Sequence, residues 1–305
     1  VDKVIVVVGP TGVGKSAIGL KIAETLNSEI ISGDSIQIYR QLDIGSAKMN
    51  TDEMNGIKHY LIDEKDLKQS YNVMEFQNEA RRIMADIHAR GKTPLIVGGT
   101  GLYIKAVLYD YEFQYEDNNE AFMKEHEKYS NDELYSMLLD ADIESTKKIH
   151  KNNRKRVLRA LFMASVGEKK SEIISKQKAQ PIYDVFIVGC TLERHKLYER
   201  INQRVDLMIK SGLKKELEKL NEIENIWTYQ GMQGIGYREW KDYFLSDKSE
   251  NQVIEDIKKH SRQFAKRQYT WFNNQMDMRW YDMENELVVN SIMKDIEKWR
   301  NSNVE

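Results

Sequence analysis

The chain has 305 residues, 41% of them hydrophobic and 31% charged, with only three prolines, a balance that excludes disordered and fibrous chains and describes a soluble, helix-rich globular protein. A formal net charge of -2 leaves no global basic field, so any nucleic acid must be held by local patches. The single cysteine, Cys190, excludes an internal disulfide and a cysteine-based zinc site, and fits a reducing compartment.

No apolar run reaches the roughly 20 residues that a bilayer-spanning helix needs, so a cytoplasmic protein without a membrane partner is expected. Val4-Ile5-Val6-Val7-Val8 is a β-branched run of the kind that forms a parallel strand buried on both faces. Gly9-Pro10-Thr11-Gly12-Val13-Gly14-Lys15-Ser16 follows directly, and Ile18, Ile22 and Leu26 then recur at helical spacing. Strand, glycine-rich loop and helix in that order define a P-loop. Its backbone N–H groups wrap a polyphosphate at a helix N-terminus, Lys15 neutralises it, and the Ser16 hydroxyl offers a ligand to Mg2+.

The loop does not say whose phosphate it holds. Before the next long helix, Glu29-Ile30-Ile31-Ser32-Gly33 reads as a second strand, which delivers Asp34 to the carboxyl end where ligands of open α/β sheets sit. A carboxylate there either takes the proton of an attacking nucleophile or closes an Asx-turn. Val73, Phe76, Ala80, Ile83 and Ile87 mark the helix that follows, stopped by Gly91. An ATPase needs an apolar strand ending in Asp for its metal, whereas Thr93-Pro94-Leu95-Ile96-Val97 runs into Gly98-Gly99-Thr100-Gly101. That disfavours a hydrolytic motor and favours transfer chemistry on a diphosphate. Thr100 thus occupies another strand terminus, with a hydroxyl that orients a phosphate oxygen or an acceptor, or closes an ordinary turn.

From Tyr111 to Gln180 no strand pattern survives. Leu134, Leu138 and Ala141, then Val157, Leu161 and Ala164, have helical spacing after an acidic opening, and Val185-Phe186-Ile187-Val188-Gly189-Cys190 reads as a return to the sheet. The expected architecture is α/β: a P-loop NTPase-like parallel sheet flanked by helices, built from residues 1–111 and 181–305, with an all-helical insertion domain at 112–180. Within the insertion Lys147, Lys148, Lys151, Arg154, Lys155, Arg156 and Arg159 share a stretch without acids, either a solvated face or a phosphate-neutralising patch. Leu197, Ile201, Val205 and Met208 then draw a helix on which Arg200 and Arg204 share one side. A last long helix places Val253, Ile257, Ser261, Phe264 and Gln268 on one face and Lys259, Arg262 and Lys266 on another. Tyr269, Trp271 and Phe272 follow, a basic stripe beside aromatics that suits single-stranded loops, with Trp271 and Phe272 expected to be at least partly buried. No apolar stripe is left over, so a monomer without an obligate protein partner is expected.

Taken in order, these segments resemble the tRNA dimethylallyltransferases, or tRNA isopentenyltransferases, of the IPP transferase family. The likeness is carried by Gly9 to Ser16; by Ile31-Ser32-Gly33-Asp34-Ser35-Ile36-Gln37-Ile38-Tyr39 with Leu42 to Lys48; and by Pro94 to Tyr103. It continues through His150 to Arg156 with Arg159-Ala160-Leu161, Leu197 to Asp206, Gln233 to Tyr237, and Arg262 to Phe272. The resemblance implies that dimethylallyl diphosphate, not ATP, occupies the P-loop. It also implies that the five-carbon group passes to N6 of the adenosine just 3′ of the anticodon in a tRNA anticodon stem-loop, releasing diphosphate. By the same resemblance Asp34 is the general base, Thr100 holds the reacting oxygen or amine, and Arg204, with Arg200, binds the diphosphate. Asp34, Ser35, Ile36 and Gln37, then Lys155, Arg156, Val157, Leu158 and Arg159, then Gln233, Gly234, Ile235, Gly236, Tyr237 and Arg238, stand where the family contacts tRNA. Arg262, Lys266 and Arg267 join them. Three positions depart from the family pattern: Asn153 where Asp is common, Phe162 where an acid is usual, and Ser16 for the commoner Thr. The rival readings are an adenylate isopentenyltransferase, which needs no tRNA-binding insertion; a P-loop small-molecule kinase, whose lid arginines Arg200 and Arg204 imitate; and a non-catalytic RNA-binding module in which Asp34 is dispensable.

Overall fold

The computed structural model describes residues 1–110, 120–167 and 181–302. Its strands are β1 (Lys3–Val8), β2 (Ile30–Ser32), β3 (His59–Tyr60), β4 (Leu95–Gly98), β5 (Asp184–Thr191) and β6 (Arg279–Asp282). They form one sheet in the order β3-β2-β4-β1-β5-β6, with every neighbouring pair parallel. The β-branched run Val4 to Val8 is wholly buried because β1 lies in mid-sheet, with β4 and β5 on either side. Val8 is level with Gly98 of β4 and with Gly189 of β5, and Ser32 of β2 is level with Val97. The loops after β2, β4 and β1 therefore emerge side by side, although more than sixty residues separate β2 from β4.

Helices cover the sheet: α1 (Lys15–Leu26), α2 (Val73–Ala89) and α3 (Gly101–Leu108) come first. Asn72 starts α2 through a capping box with Glu75, and the helix buries Phe76, Ala80, Ile83, Met84 and Ile87, the periodicity read from the sequence. α1 places Ile18 and Ile22 in a core that also holds Val188, Leu197, Ile201 and the terminal helix Val288–Asn301 through Val288, Ile292 and Ile296. None of the expected elements includes that terminal helix, although its four-residue period is legible in the chain. The edge strands β3 and β6 offer no such signal, since two and four residues are too short to establish an alternation.

By compactness the chain divides into a unit of Val1–Tyr109 with Pro181–Glu305 and a unit of Asp110–Gln180. In the latter, residues 112–119 and 168–180 of the expected insertion lie outside the described residues. The helices Asn131–Ala141 and Arg154–Ser165 pack Leu134, Leu138, Val157, Leu158 and Leu161 into a separate small core. Two of the three family departures, Asn153 and Phe162, have local explanations here. Asn153 caps the helix Arg154–Ser165 by accepting from the Arg156 N–H at 3.4 Å, a role that either Asn or Asp fills. Phe162 packs edge-on against Phe122 with centroids 5.5 Å apart, so an apolar ring replaces a charge. No helix among the described residues is long and apolar enough to cross a membrane.

Candidate active site

The P-loop turns through left-handed backbone at Gly12 (φ +80°) and Gly14 (φ +105°), conformations that suit glycine. No side chain caps α1, which leaves the N–H groups of its first turn as donors for an anion. The Lys15 ammonium rests on the Pro10 carbonyl at 2.8 Å. Burial lowers its pKa to about 8, with Arg204 pushing the same way and the Asp34 carboxylate opposing. Cys190 is buried at the end of β5, and burial pushes its thiol up to about 12, so it stays protonated and inert.

Asp34 follows β2 and closes an Asx-turn: Oδ1 accepts from the N–H of Ile36 at 2.8 Å and of Gln37 at 3.3 Å. No hydrogen bond among the described residues uses its Oδ2, so the turn fixes the carboxylate without exhausting it. Gln37 is also held in place, accepting from Ser32 Oγ at 3.2 Å and donating to the Ser46 carbonyl at 3.3 Å. Thr100 starts α3 but its hydroxyl makes no cap, while its N–H donates to the Gly33 carbonyl at 3.2 Å. Arg204, on the helix Arg194–Lys210, donates to Thr11 Oγ1 at 3.2 Å. Burial lowers the guanidinium pKa and the Asp34 charge partly offsets this.

Two clefts meet at these residues. One, of about 410 Å³, is lined by Asp34, Ser35, Ile36, Thr100, Arg204, Arg267 and the segment Gln233 to Gly236 with Arg238. The other, of about 660 Å³, is lined by Lys15, Ser16, Asp34, Gln37, Gly98, Gly99, Arg204 and Gln268. Thr11, Asp34, Arg204, Met208 and Phe264 belong to both. The junction thus combines a carboxylate, a guanidinium and two apolar side chains. Arg200, one turn before Arg204, is exposed and lines neither cleft.

Some residues singled out in the sequence have other work. Tyr237 is fully buried and offers no surface to RNA: its ring fills the space a Gly45 side chain would need, with a hypothetical Cβ 2.6 Å away. Its hydroxyl donates to Glu216 Oε1 at 2.7 Å and accepts from the Ser46 N–H at 3.2 Å. The close approach at Gly236 is likewise to the chain's own Gly45 carbonyl. Val157 and Leu158 are core residues, whereas Lys155, Arg156 and Arg159 are exposed. Lys147 pairs with Glu144 and Lys151 with Asp132, and Arg154 donates to the Tyr129 and His126 carbonyls, so part of the basic run is structural. Arg262 donates to Asn202 at 2.6 Å, while Lys266 and Arg267 line a shallow groove with a half-buried Trp271. Glu216 builds the site without any sequence signal that marks it. Gln268, although its helical period and the family-like segment Arg262 to Phe272 are legible, carries no signal of which backbone its amide meets. Glu216 sits on the helix Leu213–Asn221, whose leucine period is legible, but nothing local indicates which backbone its carboxylate meets.

Residues 37–275 match the profile of a family described as IPP transferase. The chain belongs to the IPP transferase family. Among the relatives of this IPP transferase, a tRNA dimethylallyltransferase of Bacillus cytotoxicus is 46% identical over 97% of this chain and 95% of its own length. A tRNA isopentenylpyrophosphate transferase structure from Staphylococcus epidermidis aligns with TM-score 0.73 and 40% identity, covering 98% of this chain and 99% of its own. A eukaryotic dimethylallyltransferase structure, described as acting on tRNA, aligns with TM-score 0.83 and 28% identity over 97% of this chain and 78% of its own. The family's α/β fold, with its all-parallel sheet, is the one seen here.

Proposed function

We propose that this IPP transferase binds dimethylallyl diphosphate in the cleft of Lys15 and Ser16, receives the adenosine 3′ of a tRNA anticodon in the cleft of Gln233 to Gly236, and joins the two at Asp34. Its family membership and its 46% identity to a tRNA dimethylallyltransferase make it a tRNA-modifying prenyltransferase. The observation that carries the residue-level reading is that Asp34, Arg204 and Thr11 line both clefts at once. The allylic C–O bond breaks as the N6–C bond forms, the electron pair leaving with the diphosphate. The P-loop N–H groups, Lys15 and Arg204 stabilise that growing charge, and Asp34 takes the N6 proton. An aromatic amine is a weak nucleophile, so a base fixed by an Asx-turn matters. Met208 and Phe264 give the five-carbon chain an apolar wall and keep water from the allylic centre.

The residues also fit Mg2+. The donor cleft offers the Ser16 hydroxyl and no thiol or imidazole, a hard-oxygen set suited to a cation held mostly by phosphate oxygens and water. Ser16 is the residue that would ligate it, and a bound cation would offset the negative charge of the diphosphate. A tRNA substrate implies a cytoplasmic protein.

Transfer of labelled dimethylallyl from its diphosphate to an anticodon stem-loop, with free AMP as competing acceptor, tests the reading. Label is expected on the stem-loop only. Asp34→Asn, which keeps the Oδ1 acceptor and hence the turn, should lower kcat by about 10²- to 10⁴-fold with an unchanged melting temperature. Label on AMP, or ATP turnover without prenyl transfer, would sink it.

A further inference from the structure

Gln268 lies on the inner face of the helix Glu250–Gln275, only 5% exposed, and both ends of its amide engage backbone distant in sequence. Oε1 accepts from the Thr11 N–H of the P-loop at 2.8 Å, and Nε2 donates to the Gly99 carbonyl at 3.0 Å. A buried amide with both ends satisfied acts as a spacer of fixed length. The segments it joins carry Thr11, which Arg204 contacts, and Thr100, next to Gly99. Gly99 leaves room for this docking, since a Cβ there would stand 2.4 Å from Gln268 Nε2. The Thr11 N–H is also thereby spent on protein and not on phosphate.

We propose that Gln268 is a positioning residue: its amide clamps the P-loop to the loop after β4 and so holds the diphosphate cradle in register with Thr100 and Asp34. The proposal rests on the prenyl-transfer reading above. Without the clamp the buried Gly99 carbonyl and the half-buried Thr11 N–H lose their partners and the loops shift, and a displacement of about 1 Å is enough to slow a reaction that depends on alignment. Gln268 and Gly99 line the diphosphate cleft alone, whereas the RNA cleft is walled chiefly by Gln233 to Gly236 with Arg238. The loss therefore belongs in kcat and in diphosphate affinity, not in KM for the stem-loop.

Two substitutions break the same clamp from opposite ends. Gln268→Met keeps length and burial without polar atoms, and Gly99→Ala puts a methyl where the amide docks, at a position whose backbone is not left-handed. Steady-state kinetics, calorimetry with inorganic diphosphate and thermal melting are measured for each single and for the double variant. Each single should lower kcat and inorganic diphosphate affinity by about tenfold with stem-loop KM unchanged, and the double should be no worse than the worse single. A folded Gln268→Met protein with wild-type kcat, even if it melts earlier, overturns the proposal. So does a double variant showing the product of the two losses. If Gln268→Met does not fold, Gly99→Ala decides by the same kinetics and calorimetry. Wild-type protein that binds diphosphate but prenylates nothing would overturn the functional reading instead, and the calorimetric arm would still judge the clamp.

Discussion

The Lys15 ammonium rests against the Pro10 carbonyl in surroundings that burial makes hostile to charge, and its pKa drops from 10.5 to about 8. Below that pH the side chain is charged and ready for phosphate; above it, most copies are neutral. A bound diphosphate favours the charged form and raises the pKa, so binding above pH 8 must take up a proton. We predict that affinity for dimethylallyl diphosphate, measured without RNA, holds steady between pH 6.5 and 7.5 and falls by up to about tenfold per unit above pH 8. Calorimetry in buffers of different ionisation enthalpy should show proton uptake only in the upper range, and Lys15→Met should lose both the affinity and the pH dependence. Asp34 teaches a related lesson. The turn-closing and catalytic readings of a post-strand Asp compete in the sequence, yet one oxygen closes the turn while the other stays available.

Between residue and domain lies the connection from Asp43 to Lys48, which forms wall on both clefts. It has no regular structure of its own and is held by a neighbouring helix: Glu216 accepts from the Ile44 N–H at 2.8 Å, and Tyr237 bridges Glu216 to Ser46. Lys48 ties the end of the connection to Asp43 and Asp63. Burial, helped by the Glu216 charge, pushes the Tyr237 hydroxyl pKa far above its usual value, so it remains a donor at any working pH. Tyr237→Phe keeps the ring on Gly45 but strands the Ser46 N–H and removes a donor from a carboxylate. The expected cost is about 1–2 kcal/mol in urea denaturation, with stem-loop KM raised several-fold and kcat nearly kept. An unchanged denaturation midpoint would mean that the hydroxyl braces nothing.

At the scale of the molecule, the two compact units carry different parts of the proposed machinery. The core unit holds every residue placed around the diphosphate, and the unit of Asp110–Gln180 carries exposed Lys155 and Arg156, which no ion pair among the described residues engages. Lys155→Glu with Arg156→Glu should therefore weaken tRNA binding and flatten its dependence on log salt by about one unit for each phosphate no longer neutralised, leaving the KM for dimethylallyl diphosphate unchanged. Filter binding across a salt series checks this, and an unchanged slope would make the patch a solvated face. The P-loop, Asp34 after a strand, the Gly98-Gly99-Thr100 turn, the main helices and the segmental likeness to the family could all be read from the chain. Each depends on short-range order, where periodicity and a few adjacent residues dictate the backbone. What the sequence could not say is that Tyr237 is buried against Gly45, that Leu158 joins Val157 in the core, or that Glu216 and Gln268 converge on loops far from them in the chain. Only the tertiary structure decided those points, because strand order and helix packing determine which backbone groups a buried side chain meets and which faces water still reaches.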